Sequence, residues 1–400
     1  STGTLTLTSG TLALGGDFNN SGTFTPGTSL VRFIDGSAQG ISGSGLVFNN
    51  LEAVKSAGVA SITSSSTVMG TLVTSIAGTL DISGAGGFHV VGAITHGAGT
   101  GITVGAGTST NDSTFTIGGP LTISTGTVTS TGTVTFSGAI TFSGAGTLAL
   151  GGDLTRSGSG TFTPSTGTIR AFGTGNQNLG AVGGIGVIYN NLASIKTAGT
   201  ANLNASTTVL GTLIMSSGGG TLDVSDASGT TILGAVTIGS GSTYFVGDAT
   251  STNASTFSNS GTVTITTGTV TSTGAYTNAG TTSLTTGTLS LGGDFSSAGT
   301  YTQGTGTTRL HAGNDQSLAG VVYYTMTSIK SGGTATFAAS STVVNTLTTS
   351  IGGTLSASSF VVTVTGAATI GASTAVTSTS GTLNFTSAVT NAGSLGSTSG

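Results

Sequence analysis

The stretch Gly10-Thr11-Leu12-Ala13-Leu14-Gly15-Gly16-Asp17-Phe18 occurs three times in this chain with few changes. It returns as Gly146–Leu154 and as Gly287–Phe295. The copies lie about 140 residues apart, and a long internal period is typical of a repeat architecture. Three copies of one unit favour a rod or lattice element over a protein built around a single catalytic pocket.

Other residues recur with the same period. The repeat-equivalent sets are Asp17, Asp153 and Asp294; Arg32, Arg170 and Arg309; Gln39, Gln177 and Gln316; and Lys55, Lys196 and Lys330. We therefore predict three superrepeats in one continuous rod, at residues 1–137, 138–278 and 279–400. The third unit is the shortest, and we interpret it as a truncated copy.

Glycines subdivide each unit. Gly261, Gly268, Gly274, Gly280 and Gly287 bound short runs, most of which alternate apolar and hydroxyl residues. Such alternation is the period-2 signal of β-strands, and no segment has a helical period with caps. Short strands with almost no connecting sequence fit the sides of a coil of roughly 20 residues.

The predicted fold is therefore all-β, a parallel β-solenoid, in which glycine allows the tight corners. About seven coils would make one superrepeat of about 140 residues. The alternative is a tandem array of β-sandwich domains. The length of the unit and the less regular stretch 33–55 keep that alternative open.

The composition predicts an uncharged surface. Charged residues make up 4% of the chain, against roughly 25% in ordinary soluble domains. In Thr4-Leu5-Thr6-Leu7-Thr8 the leucines would point inward and the threonines outward. A hydroxyl-rich face lacks the charges that keep soluble proteins apart. It is expected to be covered by neighbouring subunits or sugars, or else to bind a neutral patterned ligand such as polysaccharide or ice.

Several classes of partner are disfavoured. Only 7 lysines and arginines are spread along the chain, so there is no basic patch for nucleic acid. There is no cysteine, and no run of 18 apolar residues that would predict a membrane span. No signal peptide is visible and neither end is capped. We expect a segment of a longer repeat protein, ends that stack on neighbours, or a chain processed after secretion.

The repeat-equivalent Arg32, Arg170, Arg309, Lys55, Lys196 and Lys330 predict a structural slot in each unit. Its use would be an ion pair, a contact to backbone carbonyls, or a contact to a neighbouring chain; the alternative is solvated side chains copied by duplication. Asp17, Asp153 and Asp294 follow Gly-Gly and predict local Asx turns. They are also weak calcium candidates, because calcium needs six to eight oxygens and the acids are scattered. We expect no other cofactor.

Histidines and sequons carry weaker signals. His89, His96 and His311 do not recur, His89 and His96 have no acid close in sequence, and we expect isolated surface or turn histidines. The candidate glycosylation sites are Asn19, Asn111, Asn204, Asn253 and Asn384. A chain so rich in serine and threonine contains several such sequons by chance.

Two further functions are disfavoured. Thr-x-Thr runs such as Thr127-Val128-Thr129 are similar to the faces of ice-binding solenoids, but ice binding needs several flat coils in register. A polysaccharide lyase or hydrolase needs clustered carboxylates or bases. The 11 acids are dispersed over the chain, so we predict that it is not an enzyme.

The run Leu14–Thr25, with Arg32-Phe33 and Phe48-Asn49-Asn50-Leu51, resembles repeats in large secreted bacterial surface proteins. These are the β-helical stalks of adhesins and autotransporter passengers. The resemblance covers all three units through low-complexity motifs, and it implies an extracellular β-helix with a scaffolding or adhesive role. It transfers no catalytic residue, and the chain contains no recognisable translocator, anchor or binding head.

Our leading hypothesis is an extracellular or cell-surface structural protein that self-associates, by stacking or lateral packing of β-rods, into a fibre, sheath or surface layer. The alternative is an adhesin stalk or a carbohydrate-binding surface protein.

Overall fold

The computed structural model describes residues 3–180 and 187–397, and every regular element in them is a β-strand. The fold is an all-β parallel β-solenoid with about 19 turns, as the sequence predicted. The chain divides into two compact units, Ser1–Ala193 and Ser194–Gly400. No helix in the described ranges could cross a membrane.

The first unit contains 28 described strands, of which the last extends to Ser194. They are β1 (Thr4–Thr6), β2 (Thr11–Leu14), β3 (Phe18–Asn20), β4 (Thr23–Thr25), β5 (Leu30–Phe33), β6 (Gln39–Gly43), β7 (Leu46–Phe48), β8 (Asn50–Lys55), β9 (Val59–Ile62), β10 (Ser66–Val68), β11 (Leu72–Ile76), β12 (Thr79–Asp81), β13 (Gly87–Val90), β14 (Ile94–His96), β15 (Gly101–Val104), β16 (Thr108–Asn111), β17 (Phe115–Ile117), β18 (Leu121–Ile123), β19 (Thr127–Ser130), β20 (Val134–Phe136), β21 (Ala139–Phe142), β22 (Thr147–Leu150), β23 (Leu154–Arg156), β24 (Thr161–Thr163), β25 (Thr168–Ala171), β26 (Gln177–Asn178), β27 (Val187–Tyr189) and β28 (Asn191–Ser194).

The second unit contains a further 28 described strands. They are β29 (Thr200–Asn202), β30 (Thr207–Val209), β31 (Leu213–Met215), β32 (Thr221–Asp223), β33 (Thr230–Ile232), β34 (Val236–Ile238), β35 (Thr243–Phe245), β36 (Thr250–Asn253), β37 (Phe257–Asn259), β38 (Thr262–Ile265), β39 (Thr269–Ser272), β40 (Tyr276–Asn278), β41 (Thr281–Leu284), β42 (Thr288–Leu291), β43 (Phe295–Ser297), β44 (Thr300–Thr302), β45 (Thr307–Leu310), β46 (Gln316–Leu318), β47 (Val322–Ser328), β48 (Thr334–Phe337), β49 (Ser341–Thr349), β50 (Thr354–Ser356), β51 (Val361–Val364), β52 (Ala367–Ile370), β53 (Ala375–Ser378), β54 (Thr382–Phe385), β55 (Val389–Asn391) and β56 (Ser394–Ser397).

Strands pair in parallel with the strand one coil further along the chain. In the first unit three sheets run along the coils, in the orders β2-β5-β8-β11-β14-β17-β20-β23, β3-β6-β9-β12-β15-β18-β21-β24 and β7-β10-β13-β16-β19-β22-β25-β28, and β1 pairs with β4. The second unit has the orders β29-β32-β35-β38-β41-β44, β30-β33-β36-β39-β42-β45-β47-β49-β51-β54 and β31-β34-β37-β40-β43-β46-β48-β50-β53-β56, with β52 between β49 and β55.

Alternation along each strand places apolar residues inside the coil. In β19, Val128 and Ser130 are buried, whereas Thr127 and Thr129 face outward. Val128 lies beside Leu148 in the next coil, so the inward residues stack in register. The hydrophobic core therefore lies between the three sheets, and hydroxyl residues occupy most outward positions.

Aromatic rings fill part of each core. In the second unit seven rings are in consecutive contact, with centroid distances from 4.8 to 6.2 Å. They are Tyr244, Phe257, Tyr276, Phe295, Tyr301, Tyr323 and Phe337. Offset and edge-to-face contacts of this kind add to the free energy of burial.

Glycine is required where consecutive coils approach most closely. Gly261, Gly280 and Gly299 occupy equivalent corners, and a Cβ on Gly280 or Gly299 would overlap the carbonyl oxygen of the glycine before it. These corners are the spacing signal that predicted the solenoid.

Candidate functional site

The recurring lysine, glutamine and aspartate meet in the first unit. Lys55 ends β8, and its side chain is 1% exposed. Its Nζ donates to the backbone carbonyl oxygens of Asp35 at 3.3 Å and Ser37 at 2.7 Å, and to Gln39 Oε1 at 2.8 Å. A lysine ammonium carries three N–H groups, so each of them has an acceptor here.

Gln39 and Asp17 extend these contacts to the previous coil. Gln39 Nε2 donates to the carbonyl oxygens of Leu14 at 2.8 Å and Gly16 at 3.0 Å. Asp17 Oδ1 accepts a hydrogen bond from the backbone N–H of Gly40 at 2.7 Å. We call Lys55, Gln39 and Asp17, and their equivalents in the other copies, the brace. It fixes the loop between β5 and β6 to the coils on either side.

The third copy repeats the brace in the second unit. Lys330 Nζ donates to the carbonyl oxygen of Asn314 at 2.6 Å and to Gln316 Oε1 at 2.9 Å. Gln316 Nε2 donates to two backbone carbonyl oxygens of the previous coil, each at 3.0 Å. Asp294 Oδ1 accepts from the backbone N–H of Ser317 at 2.8 Å. The same partners recur although the loop sequences differ.

The second copy has the same arrangement at its glutamine and aspartate, both in the first unit. Gln177 Nε2 donates to two backbone carbonyl oxygens at 2.7 and 3.0 Å. Asp153 Oδ1 accepts from the backbone N–H of Asn178 at 2.8 Å. Lys196 belongs to the second unit and is 1% exposed. All three recurring lysines are therefore buried, which is unusual for this residue type.

Burial sets the electrostatics of these lysines. Removal from water disfavours the charged form and lowers the pKa of Lys55, Lys196 and Lys330. The charges of Asp35 and Asp315 partly oppose this lowering of the pKa at Lys55 and Lys330. Neither Lys55 nor Lys330 forms an ion pair within the described residues. In the described part of the chain, the hydrogen-bond acceptors of both ammonium groups are amide oxygens.

The recurring aspartates differ from their predicted role. The prediction of local Asx turns is wrong for Asp17, Asp153 and Asp294, because the N–H groups that they bind lie 23 to 25 residues further along the chain. Each binds a backbone N–H by one carboxylate oxygen. Across residues 3–180 and 187–397, no three His, Cys, Asp or Glu side chains lie close enough to hold a metal ion together.

The recurring arginine is present in all three copies, but its environment differs from copy to copy. Arg32 Nε forms an ion pair with Glu52 Oε2 at 2.7 Å, with side chains 41% and 20% exposed. Arg309 Nε donates to Ser290 Oγ at 3.0 Å. Arg170 Nε is buried and has no hydrogen-bond partner among residues 3–180 and 187–397. Within those residues, the recurring arginine forms an ion pair in the first copy only.

The histidines occupy three different environments. His89 Nε2 lies 2.6 Å from Asp112 Oδ2, and both side chains are 41% exposed. The two residues come together because they lie one coil apart. His96 is 1% exposed, so the expectation of a surface position is wrong for it. Its Nε2 lies 2.8 Å from the carbonyl oxygen of Thr100, and burial lowers its pKa. It is therefore neutral and donates that hydrogen bond.

His311 lies in the second unit, where its Nδ1 is 3.0 Å from Ser290 Oγ. Its pKa is lowered by burial first and then by the charges of Arg309 and Lys330.

The candidate glycosylation sites fall into a buried group and an exposed group. Asn111 and Asn253 are 2% and 1% exposed. Each donates from Nδ2 to a backbone carbonyl oxygen at 2.7 Å, that of Gly92 and that of Gly234. A glycan on either asparagine is incompatible with this packing. The other three sequon asparagines are exposed; they are Asn19, Asn204 and Asn384.

One shallow groove crosses the outer face of β7, β10, β13 and β16 in the first unit. Its volume is about 430 Å³, and its lining includes Val47, Thr67, His89, Thr108 and Thr110. Threonine hydroxyls and the exposed imidazole of His89 lie among apolar atoms, such as those of Val47, in this lining. In the sequence, only the alternation of the strands indicates this groove.

Sequence reasoning also missed the hydrogen bonds of the tyrosine hydroxyls, of which that of Tyr276 is buried and that of Tyr301 is half-buried. Tyr276 OH lies 2.9 Å from Thr282 Oγ1, and Tyr301 OH lies 2.6 Å from Thr308 Oγ1. The partners are six and seven residues apart. The sequence signal for these bonds is a threonine that follows the tyrosine at that interval and occupies an inward-facing position of its strand.

Fold and brace together define this chain as a β-solenoid repeat protein. No family model matches it, and no curated protein and no solved structure shows significant similarity to it.

Proposed function

We propose that this chain is an extracellular structural repeat protein whose β-rods pack side by side into a fibre, sheath or surface layer. One observation supports the proposal most directly. Met69, Leu210 and Val344 occupy the same position in the three copies, and their side chains are 52%, 42% and 39% exposed. If the rods pack laterally with the period of the repeat, an outward apolar residue at the same position in each copy would supply the same contact each time.

Neighbouring features support the same function. Ile76 and Ile351, also repeat-equivalent, are 57% and 65% exposed. The surface around these residues is rich in hydroxyl groups, and charged residues make up only 4% of the chain. Little electrostatic repulsion would therefore oppose lateral contact. The rod surfaces would associate through many small apolar contacts.

The experiment compares two triple variants of the full chain. Met69→Asp, Leu210→Asp and Val344→Asp together place three charges on the recurring apolar position. The matched control is Thr95→Asp, Thr237→Asp and Thr369→Asp, which adds the same charge at exposed repeat-equivalent threonines. Sedimentation velocity over a range of concentrations and electron microscopy would follow assembly.

We expect ordered polymers from the unchanged chain and from the control variant, and monomers from the apolar-position variant. A chain that stays monomeric at every concentration would contradict self-assembly. Equal assembly by both variants would show that these apolar residues do not form the contact.

The groove favours a second candidate function, that of an adhesin stalk or carbohydrate-binding protein. Its threonine hydroxyls and the exposed His89 supply donors and acceptors suited to a neutral sugar. Binding of neutral oligosaccharides, measured by calorimetry, would be saturable and lost in His89→Ala. Absence of binding to any neutral glycan would exclude this candidate.

A further inference from the structure

The brace holds two reactive groups in contact away from water. Lys55 and Gln39 are each 1% exposed, and Lys330 and Gln316 are 0% and 3% exposed. The Nζ–Oε1 distances are 2.8 and 2.9 Å. An amine and a carboxamide are the two reactants of an isopeptide bond. Both units thus keep the same pair of reactants buried side by side.

The glutamine is held in one orientation in both units. Its Nε2 donates to two backbone carbonyl oxygens of the previous coil, so its Oε1 is the amide atom that accepts from the lysine Nζ. Fixed contact of this kind makes an otherwise slow bimolecular reaction effectively unimolecular. Because both residues are buried, neither group has to shed water before reacting.

Electrostatics favours a product without charge. A buried ammonium is costly unless it is paired with a counter-charge, and neither lysine has a carboxylate in ion-pair contact. Burial also favours the neutral amine, which is the nucleophilic form. Conversion of the pair into a secondary amide would remove the buried charge.

We propose that Lys55 and Gln39, and likewise Lys330 and Gln316, form intramolecular isopeptide bonds. Lysine Nζ attacks glutamine Cδ, a bond forms between them, and the Cδ–Nε2 bond breaks. Nε2 leaves as ammonia and takes the proton that the lysine ammonium has lost. The balance is one lysine ammonium and one carboxamide converted to one secondary amide and one ammonium ion. No oxidant or further reactant is consumed.

The bonds would add covalent closure to the solenoid. They would close loops between residues 16 and 14 positions apart, and the hydrogen bond of Asp17 or Asp294 would still fix each loop to the previous coil. Closing loops restricts the unfolded chain and therefore stabilises the fold. This inference is independent of the proposed self-assembly, since it concerns bonds within one molecule.

The test is the intact mass of the purified full chain under denaturing conditions. We expect a mass lower than that of the sequence by one ammonia for each bond, and protease digestion should yield peptide pairs joined through Lys55–Gln39 and Lys330–Gln316. Lys55→Arg keeps the positive charge and cannot form the amide, so its mass deficit should be smaller by one ammonia.

A full chain with the mass of its sequence would overturn the proposal. So would a mass deficit that peptide mapping places at other residues. These readouts need no variant to fold, because the first is made on the unchanged protein.

Discussion

Asp294 accepts a hydrogen bond from the backbone N–H of Ser317 at 2.8 Å, although 23 positions separate them in the chain. Asp17 and Asp153 make the equivalent bond in their copies. A charged acceptor forms a stronger hydrogen bond than a neutral one. Since each of these bonds joins two consecutive coils, the aspartate of the recurring stretch fixes the stacking of coils.

Replacement of this aspartate should weaken the stacking. Asp294→Ala removes the acceptor and leaves the N–H of Ser317 to water, and we expect the free energy of unfolding to fall by about 1 kcal/mol. Asp294→Asn keeps an oxygen acceptor and should lose less. Denaturant unfolding followed by circular dichroism would measure both, and an alanine variant as stable as the unchanged chain would contradict the role.

The period of the sequence was sufficient to predict the fold, but it was insufficient to predict which side chains contact each other between coils. Glycine spacing and apolar–hydroxyl alternation predicted a parallel β-solenoid, because both are properties of local backbone geometry. The partner of Asp294 depends on the length of one coil, which varies along the chain. For the same reason the contact between His89 and Asp112, 23 residues apart, was invisible in the sequence.

The burial of particular polar residues also could not be predicted from the sequence. The sequence predicted an ion pair, a contact to backbone carbonyls or a contact to a neighbouring chain for Lys55, and it did not distinguish among them because lysine is normally exposed. Its acceptors come from a loop that carries no regular pattern. Asn111 matched a glycosylation sequon, but it lies at an inward position of β16. The alternation of a strand predicts that polar residues face outward. This prediction fails where a polar side chain finds hydrogen-bond partners inside the coil, as Asn111 does.

The buried tyrosines of the second unit predict loss of stability at alkaline pH. Desolvation raises the pKa of Tyr244 and of Tyr301 from 10.0 to about 12. A raised pKa in the folded state means that the stabilisation is complete below pH 10 and is lost as the pH rises from 10 to about 12. The unfolded chain releases these protons first, which draws the equilibrium toward unfolding.

The measurement is denaturant unfolding at a series of pH values, with phenolate absorbance recorded in parallel. The double variant Tyr244→Phe and Tyr301→Phe should lose less stability above pH 10 than the unchanged chain. Both proteins contain the same lysines, so the difference isolates the tyrosines. Identical pH profiles would show that these phenols do not titrate with unfolding.

A strained alanine predicts a stabilising substitution. Ala312 has φ 75°, in the left-handed region, whereas the equivalent position of the second copy is Gly173 with φ 86°. Left-handed backbone costs an L-residue about 1–2 kcal/mol, and glycine avoids that cost at the expense of chain entropy. We expect Ala312→Gly to raise the free energy of unfolding by up to about 1 kcal/mol.

The control for this substitution is Ala338→Gly. Ala338 lies in the same unit and is exposed, whereas Ala312 is half-buried, and the φ of Ala338 is not positive. There glycine gains no strain relief and should destabilise the chain. Thermal unfolding would measure the gain of stability expected for Ala312→Gly and the loss expected for Ala338→Gly. A loss of stability in Ala312→Gly would contradict the strain argument.

The arginine of the second copy allows an ion pair to be designed. Arg170 Nε is buried without a hydrogen-bond partner in the described part of the chain, whereas Arg32 pairs with Glu52. The backbone bond from Asn191 to Gly167 corresponds to that from Asn50 to Ser29, so Ala193 occupies the position of Glu52. Ala193→Glu should therefore place a carboxylate beside Arg170.

We expect this substitution to raise the free energy of unfolding by about 0.5 kcal/mol, because a half-exposed ion pair is screened by water. A double-mutant cycle with Arg170→Met separates the pair from the effect of the new side chain. Ala193→Gln is the uncharged control. The coupling energy should shrink as salt is added. A coupling energy of zero at low salt would mean that Arg170 does not contact the carboxylate introduced at position 193.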